Sequence, residues 1–153
     1  MTLEKKIKDV RFGEFNIALL MDGPNMFTSS IYDVEDAAKK YGKVMINEIF
    51  LSKETPTSFL EFFIQRGYVP VLNSLKDVDT SLAIRACEII CSPKYGQIDL
   101  LAIVAKDADY LPLVQKTRLY DKKMLVIGGY EGMSMALRNN ADYFEAARER
   151  VKE

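Results

Sequence analysis

The 153-residue sequence contains no histidine. This absence excludes the commonest general base, the Ser-His-Asp triad and every metal site that uses histidine ligands. Catalysis would therefore depend on carboxylates, lysines, hydroxyl groups or a metal ion held by oxygen atoms. Cysteine is scarce as well, because Cys87 and Cys91 are the only two. No further cysteine or histidine is present to complete a zinc site around them.

Strong charge and long apolar runs are also missing. The formal net charge of −1 excludes attraction to nucleic acid by bulk charge and leaves only a local basic patch as an option. No apolar stretch is long enough for a membrane span or a signal peptide, so the sequence predicts a soluble, cytoplasmic protein. The length is typical of one domain, and we expect a charged N-terminal arm at 1–12 before a single domain at 13–153.

The sequence does contain a regular alternation of strand and helix patterns. Predicted strands cover residues 15–21, 44–51, 68–73, 99–105, 123–129 and 142–147. Helical patterns lie between them, at about 31–41, 56–66, 79–91, 110–120 and 133–139. Such alternation predicts βαβ units, and continuous apolar runs in the first, fourth and fifth strands are typical of strands covered on both faces. The expected fold is a three-layer α/β domain with a central, mostly parallel sheet.

Acidic residues directly follow two of the predicted strands. Asp22 follows the first strand, and Asp107 and Asp109 follow the fourth, in "LLAIVAKDADYLPLV". Open parallel sheets bind ligands beyond the carboxyl ends of their strands, where the strand order reverses. Clustered carboxylates repel one another unless a cation neutralises them, and hard divalent cations such as Mg²⁺ or Mn²⁺ prefer oxygen ligands. We therefore predict that these three aspartates form a metal site.

Each candidate also has a purely structural interpretation. Asp109 is well placed to cap the helix that follows, in which case Asp107 is not needed as a cap. Asp22 fits a turn residue before Gly23 and Pro24. Three other candidates fit the start of a helix: Asn25, Asp79 and Ser134.

Several common phosphate-binding patterns are absent. There is no GxGxxG after the first strand and no GxxxxGK[ST] in the sequence. A phosphatase of the haloacid-dehalogenase type would need an aspartate two residues after Asp22, where Pro24 stands. A response-regulator receiver would need an adjacent acidic pair near the first strand and a lysine after the fifth. Both classes are therefore disfavoured.

The segments "ALLMDGPNM", "LKDVDTSLAIRA", "KDADYLPLV" and "ALRNNADYF" resemble, in order and spacing, those of NYN-domain proteins. These belong to the PIN-like nuclease superfamily and include the LabA-like proteins. "MDGPN" and "ALRNNADYF" resemble in particular an uncharacterised archaeal branch of the family. The resemblance covers about residues 15–145. It implies a Rossmann-like PIN fold and a metal-dependent ribonuclease-type site, for which the oxygen ligands favour Mg²⁺ or Mn²⁺. Flexible single-stranded RNA suits such a shallow edge of the sheet better than a duplex does.

The resemblance also implies roles for individual residues. Asp22 matches the acidic residue after the first strand, and Asn25 matches its polar partner. Asp107 and Asp109 match the acidic residues of a family segment written "KDADY" here. Metal binding and catalysis would fall to the three aspartates, while Asn25 would orient water or a phosphate oxygen.

Three further positions match the family. Lys76 and Asp79 match a segment written "KDVD" here, and Ser134 matches the hydroxyl after the fifth strand. Ser134 would help to orient water or phosphate, and Lys76, Lys106 or Arg85 would contact the RNA backbone. Lys76 has a simpler interpretation too, as a solvated lysine in a loop.

One position departs from the family pattern. The helix after "KDVD" usually carries a second acidic ligand, and Arg85 occupies that position here. Beside Asp22 and Asp107, its guanidinium would pair with them and take the place of the metal ion. Arg85 could instead turn away and pair with Glu88 at i+3. The first case predicts the alternative function: a catalytically weakened NYN domain that binds RNA, a second copy or a related NYN partner.

Overall fold

A computed structural model gives the fold, and it describes residues 13–74 and 78–148. The described strands are β1 Phe15–Asp22, β2 Gly42–Ser52, β3 Val69–Asn73, β4 Leu100–Val104, β5 Lys123–Gly128 and β6 Tyr143–Ala146. The described α-helices are α1 Ile31–Tyr41, α2 Thr57–Gln65, α3 Asp79–Cys91, α4 Leu111–Leu119 and α5 Met135–Asn140. None of the helices in this part of the chain has the length and apolar content that crossing a bilayer requires. The predicted arm at 1–12 and the predicted site residue Lys76 lie outside the described residues.

The six strands form one sheet in the order β3-β2-β1-β4-β5-β6. Every neighbouring pair is parallel, so the predicted α/β class with a mostly parallel sheet is confirmed. The chain runs outward from β1 to β3, then crosses to β4 and runs outward in the opposite direction. The strand order therefore reverses between β1 and β4, and a ligand crevice is expected at their carboxyl ends.

Side chains of β1 alternate between two apolar clusters, one on each face of the sheet. Ile17 and Leu19 belong to the cluster that α1 and α2 cover. Ala18 and Leu20 belong to the cluster that α3, α4 and α5 cover. Because both faces are covered, the strand has no solvent-facing positions to fill with polar residues, which explains its continuous apolar sequence. The expected three-layer arrangement is confirmed.

A 3₁₀ turn, Gly23–Phe27, follows β1 directly. Gly23 packs so closely on β2 that a Cβ atom there would lie 2.1 Å from Cδ2 of Leu51 and 2.3 Å from the carbonyl oxygen of Phe50. Glycine is the residue that permits such an approach. The turn keeps Asn25 close to the end of β1, at the same edge of the sheet as Asp22.

Asn25 and Asp79, whose structural interpretation was a position at the start of a helix, do not act as side-chain caps. Helix α1 begins as predicted, but its cap is Ser30, whose Oγ accepts a hydrogen bond from the Asp33 amide at 3.4 Å. Asn25 lies inside the preceding 3₁₀ turn and caps nothing. Helix α3 has Val78 at the capping position with no side-chain cap, and Asp79 is its first residue. The side chain of Asp79 instead lies within hydrogen-bonding distance of the Tyr110 hydroxyl, at 2.9 Å.

Candidate active site

A cavity of about 580 Å³ lies at the carboxyl ends of β1 and β4, where the strand order reverses. Five of the predicted site residues line it: Asp22, Asn25, Asp79, Asp107 and Ser134. Residues far apart in the sequence meet here because parallel strands deliver their carboxyl ends to one edge of the sheet.

Three carboxylates gather at this edge. Asp79, Asp107 and Asp109 each place one carboxylate oxygen within 4.8 Å of the other two. Asp107 and Asp109 are exposed, and Asp79 is half-buried. The prediction grouped Asp22 with Asp107 and Asp109, whereas in this close trio Asp79 takes that position. Like charges at such separations repel, so the arrangement favours a cation.

Asp22 lies beneath this trio and is only 6% exposed. Burial, and after it the nearby carboxylate of Asp79, raise the pKa of its carboxyl. Hydrogen bonds from the Tyr110 hydroxyl and the backbone N–H of Asn25 lower it, and the net pKa is about 7. Asp22 is therefore protonated for part of the time near neutral pH.

Tyr110 connects the two acids and was not predicted as a site residue. Its hydroxyl oxygen lies 3.1 Å from Oδ2 of Asp22 and 2.9 Å from Oδ1 of Asp79. Burial and the neighbouring carboxylates raise the pKa of Tyr110, so the hydroxyl keeps its proton. One hydroxyl carries one proton, so Tyr110 donates to one carboxylate at a time and can accept from the other when that one is protonated. Its spacing from Leu113 and Val114 is the sequence signal of a core-facing position.

Asp107 and Asp109 have exchanged the capping roles expected for them. A 3₁₀ turn, Ala108–Tyr110, precedes α4, and Oδ1 of Asp107 accepts a hydrogen bond from the Asp109 amide at 3.0 Å. Helix α4 itself has no side-chain cap. The expectation that Asp109 is the cap is wrong, because the extra turn moves the capping position two residues earlier. The Asp107 carboxylate has a second oxygen that this bond does not use.

Ser134 and Lys106 bring polar groups from the other side of the cavity. Ser134 caps α5, as predicted, by accepting a hydrogen bond from the Leu137 amide at 3.2 Å. Its own amide donates to the carbonyl of Lys106 at 2.8 Å, which holds the start of α5 against the end of β4. Lys106 also lines the cavity, and its Nζ lies 3.8 Å from the position that a Cβ atom at Gly129 would take.

Arg85 does not lie between the aspartates. Its Nε is 2.8 Å from Oε1 of Glu48, its Nη2 is 2.9 Å from Oε2 of the same residue, and its Nη1 is 2.8 Å from Oε1 of Glu88. Arg85 is absent from the described lining of the cavity. The expected pairing with Asp22 and Asp107 is therefore wrong, and the guanidinium does not take the place of a metal ion.

The donors at this edge suit a hard divalent cation. They are carboxylate oxygens, with an amide and a hydroxyl nearby, and three of the carboxylates converge. Among the described residues, no lysine or arginine forms an ion pair with Asp22. These ion pairs therefore do not offset the charge of an ionised Asp22.

One solved structure shows the same fold. A protein of unknown function from Vibrio parahaemolyticus superposes with a TM-score of 0.72 over 87% of this chain and 93% of its own chain. At 22% identity this likeness shows the fold alone. The NYN domain pattern matches residues 16–147, so the chain belongs to the NYN-domain family. Members of this family are typically nucleases of the PIN-like superfamily that bind nucleic acid and use divalent metal ions.

An archaeal relative agrees with this assignment. An uncharacterised protein of Methanocaldococcus jannaschii is 37% identical over 137 residues, which is 87% of this chain. The matched region is 55% of the relative, so the chain spans about half of that protein's length. The LabA-like subtype stays a prediction.

Proposed function

We propose that this NYN domain is a metal-dependent endoribonuclease that hydrolyses phosphodiester bonds in RNA. The observation that carries the proposal is the convergence of Asp79, Asp107 and Asp109 within 4.8 Å of one another at the strand-order reversal. These three residues, with Asp22 beneath them, would hold Mg²⁺ or Mn²⁺. When bound, such an ion lowers the pKa of water and offsets charge that builds on phosphate oxygens.

The chain's own residues orient the substrate around this centre. Lys106 supplies a positive charge to a phosphate at the cavity. The Asn25 amide and the Ser134 hydroxyl can donate hydrogen bonds to water or to a phosphate oxygen, since both line the same cavity. Tyr110 holds the carboxylates of Asp22 and Asp79 in place through its hydroxyl. Lys76 remains a predicted contact to the RNA backbone.

Single-stranded RNA is the substrate that suits this site best. The reactive groups lie at the edge of a sheet, and the net charge of −1 provides no general attraction to a duplex. Flexible single strands can place one phosphate into such an edge without the fixed geometry of an A-form helix.

The alternative is a weakened NYN domain that binds RNA or a partner without efficient cutting. It depended on Arg85 standing in for the metal ion, and Glu48 and Glu88 hold that guanidinium elsewhere. One support remains, because residue 85 supplies no acidic ligand where the family pattern has one. Assembly with a second copy or a related NYN partner stays a prediction, as does the cytoplasmic location.

The decisive experiment is cleavage of an end-labelled single-stranded RNA by the purified protein with Mg²⁺, Mn²⁺ or EDTA. The informative variant is Asp107→Asn, because asparagine still caps the turn through its side-chain oxygen but removes the negative charge. We expect cutting only with metal and a loss of about a hundredfold or more in the variant, the upper end of what perturbing a metal site's supporting residues costs.

Asp121→Asn is the matched control. Asp121 is exposed just before β5, at the amino-terminal ends of the strands and so far from the candidate site. Asparagine tolerates its positive φ of 57°. This control should cut as the wild type does. A folded wild type that leaves RNA intact with both metals would instead support the weakened binding module. Undiminished metal-dependent cutting by Asp107→Asn would remove the acidic trio from the mechanism.

A further inference from the structure

A second cavity, of about 650 Å³, lies on the face of the sheet that α1 and α2 cover. Aromatic rings from both helices line it: Tyr32, Phe59, Phe62 and Phe63. Phe63 is fully buried, while Tyr32 is 63% exposed and Phe62 is 42% exposed. The volume is in the range of pockets that bind small organic ligands. Large rings left this open beside a cavity mark a binding surface.

Arg66 holds the two exposed rings in place. Its guanidinium carbon lies 5.1 Å from the ring centroid of Tyr32 and 5.7 Å from that of Phe62. The charge of Arg66 is itself paired with Glu35. The rings are therefore fixed by cation–π contacts, and the ion pair balances the positive charge behind them.

Polar residues also line this aromatic cavity, among them Ser29, Ser58 and Arg148. The Arg148 guanidinium is paired with Asp33 through Nε at 2.8 Å and Nη2 at 3.0 Å, which fixes its position and offsets its charge. A lining that combines flat rings with serine residues suits a planar ligand that has an apolar face and a polar edge. A nucleobase has this character.

The aromatic cavity and the candidate active site are joined by the 3₁₀ turn Gly23–Phe27. Asn25 lines the acidic cavity, and the next residue, Met26, lines the aromatic one. Phe27, the next residue, packs its ring on Phe59 with centroids 4.5 Å apart, so the turn between the cavities is anchored. A strand with one phosphate at the acidic trio would bring an adjacent base to these rings.

We propose that the aromatic cavity binds an unpaired base of the RNA strand whose phosphodiester lies at the acidic site. This inference rests on the proposed function and narrows its substrate to strands that can turn a base out beside the scissile bond. Stacking on Tyr32 and Phe62 would be tolerant of sequence, because every base offers a π-face. The serine hydroxyls would meet the polar edge of the base.

Binding and cutting are measured separately in the test. Fluorescence anisotropy in EDTA follows a short fluorescein-labelled single-stranded RNA titrated with wild type, Tyr32→Leu, Phe62→Leu and Tyr32→Phe. We expect each leucine variant to bind about tenfold more weakly, which is the usual scale for losing one stacking partner, and Tyr32→Phe to bind like the wild type. Tyr120→Leu is the matched control, because Tyr120 is also exposed beside a cation, Lys116, near the opposite edge of the sheet.

A spectroscopic readout separates stacking from a general loss of structure. RNA carrying 2-aminopurine should lose fluorescence on binding the wild type, and this quenching should be smaller with Tyr32→Leu. An RNA strand that is abasic at every position should bind wild type and Tyr32→Leu equally. Leucine variants that match the wild type in affinity and quenching would overturn the base site, and so would a wild type that does not bind RNA.

Cutting tests the proposed function independently. Base stacking in EDTA without metal-dependent cleavage would retain the base site and overturn the nuclease. Metal-dependent cleavage with unchanged affinity and quenching in the leucine variants would retain the nuclease and overturn the base site.

Discussion

Asp22 couples the candidate active site to the stability of the fold. It is the buried carboxylate of the described residues, and no described cation pairs with it. Ionising an acid in such a position costs free energy. The same buried position places Asp22 beneath three other carboxylates. Its burial therefore lowers the stability of the fold at a residue of the candidate site.

This cost predicts an unusual pH dependence. The pKa of Asp22 is about 7 in the folded protein against 3.8 for an ordinary aspartate. Between these values the folded protein keeps a proton that the unfolded chain has released, so this residue lowers stability as pH rises through that window. We expect Asp22→Asn in EDTA to raise Tm at about pH 8 and to have little effect near pH 4. The gain in the free energy of unfolding is at most roughly 1.4 kcal/mol for each unit by which the pKa of Asp22 is raised.

Thermal unfolding across this pH range measures the effect. Asp121→Asn is the control and should show no such trend, because that side chain is exposed. An Asp22→Asn variant whose Tm difference is the same at both ends of the range would show that burial does not raise this pKa.

Some residues of the candidate site could be predicted from the sequence, and others could not. The positions of Asp22 and Asp107 follow from the strand ends, and these are visible as apolar runs. The cap assignment failed because nothing in the sequence marks the 3₁₀ turn between Asp107 and α4. Tyr110 was missed because its hydroxyl acts through two residues that lie 31 and 88 positions away.

At the scale of elements, Arg85 ties α3 to β2. It binds both oxygens of Glu48, whose side chain is 12% exposed, and one oxygen of Glu88. A paired, partly buried charge lowers stability little, but removing one partner leaves the other charge without compensation and destabilises the fold. The arginine at this position is thus a structural contact, which the sequence pattern could not distinguish from a substituted ligand.

We expect Arg85→Ala to lower the free energy of unfolding by about 1.5–3 kcal/mol, since Glu48 loses charge-assisted hydrogen bonds. Arg85→Asp should be less stable still, because it adds a carboxylate beside Glu48 and Glu88, and it should not improve cutting. Urea denaturation measures the stability change, and Arg85→Ala with Glu48→Gln should recover part of the loss. Lys40→Ala breaks an exposed pair with Glu145 and should cost under about 1 kcal/mol.

An Arg85→Asp variant that is as stable as the wild type and cuts RNA faster would contradict the structural role of Arg85. Such a result would mean that the side chain at position 85 reaches the candidate metal site. Equal stability of Arg85→Ala and wild type would show that the pairing with Glu48 contributes nothing net.

The elements themselves were largely predictable. The observed β1, β4 and β5 fall within about two residues of their predicted bounds, because covered strands have continuous apolar sequences. β2 begins at Gly42, two residues before its predicted start at Val44. Its first residues are only partly buried, so their sequence mixes polar and apolar residues and does not mark the start of the strand. The aromatic cavity was not predicted, since it depends on how α1 and α2 approach each other.

At the scale of the whole molecule, the nearly neutral net charge bears on how the proposed RNA substrate would be held. Attraction to phosphates must come from a few local cations, and Lys106 is one that lines the acidic cavity. Each phosphate contact to a single strand contributes about −0.7 to the slope of log affinity against log salt. We expect Lys106→Ala to reduce the magnitude of that slope by about 0.7.

The measurement is anisotropy with single-stranded RNA in EDTA at increasing KCl. Lys116→Ala removes a lysine near Tyr120 and should leave the slope unchanged. An unchanged slope in Lys106→Ala would show that this lysine does not contact the RNA backbone.

The order of the strands has a consequence for synthesis on the ribosome. β1 lies at the centre of the sheet, but its partner β4 is made about eighty residues later, with Ile17 opposite Leu100. Until then, the first half of the chain can pair β1 only with β2, and the other edge of β1 is an unprotected apolar strand. The acidic trio needs residues from after both β3 and β4. A nascent chain that exposes this edge therefore lacks the acidic trio, and the candidate site forms only when the two halves join.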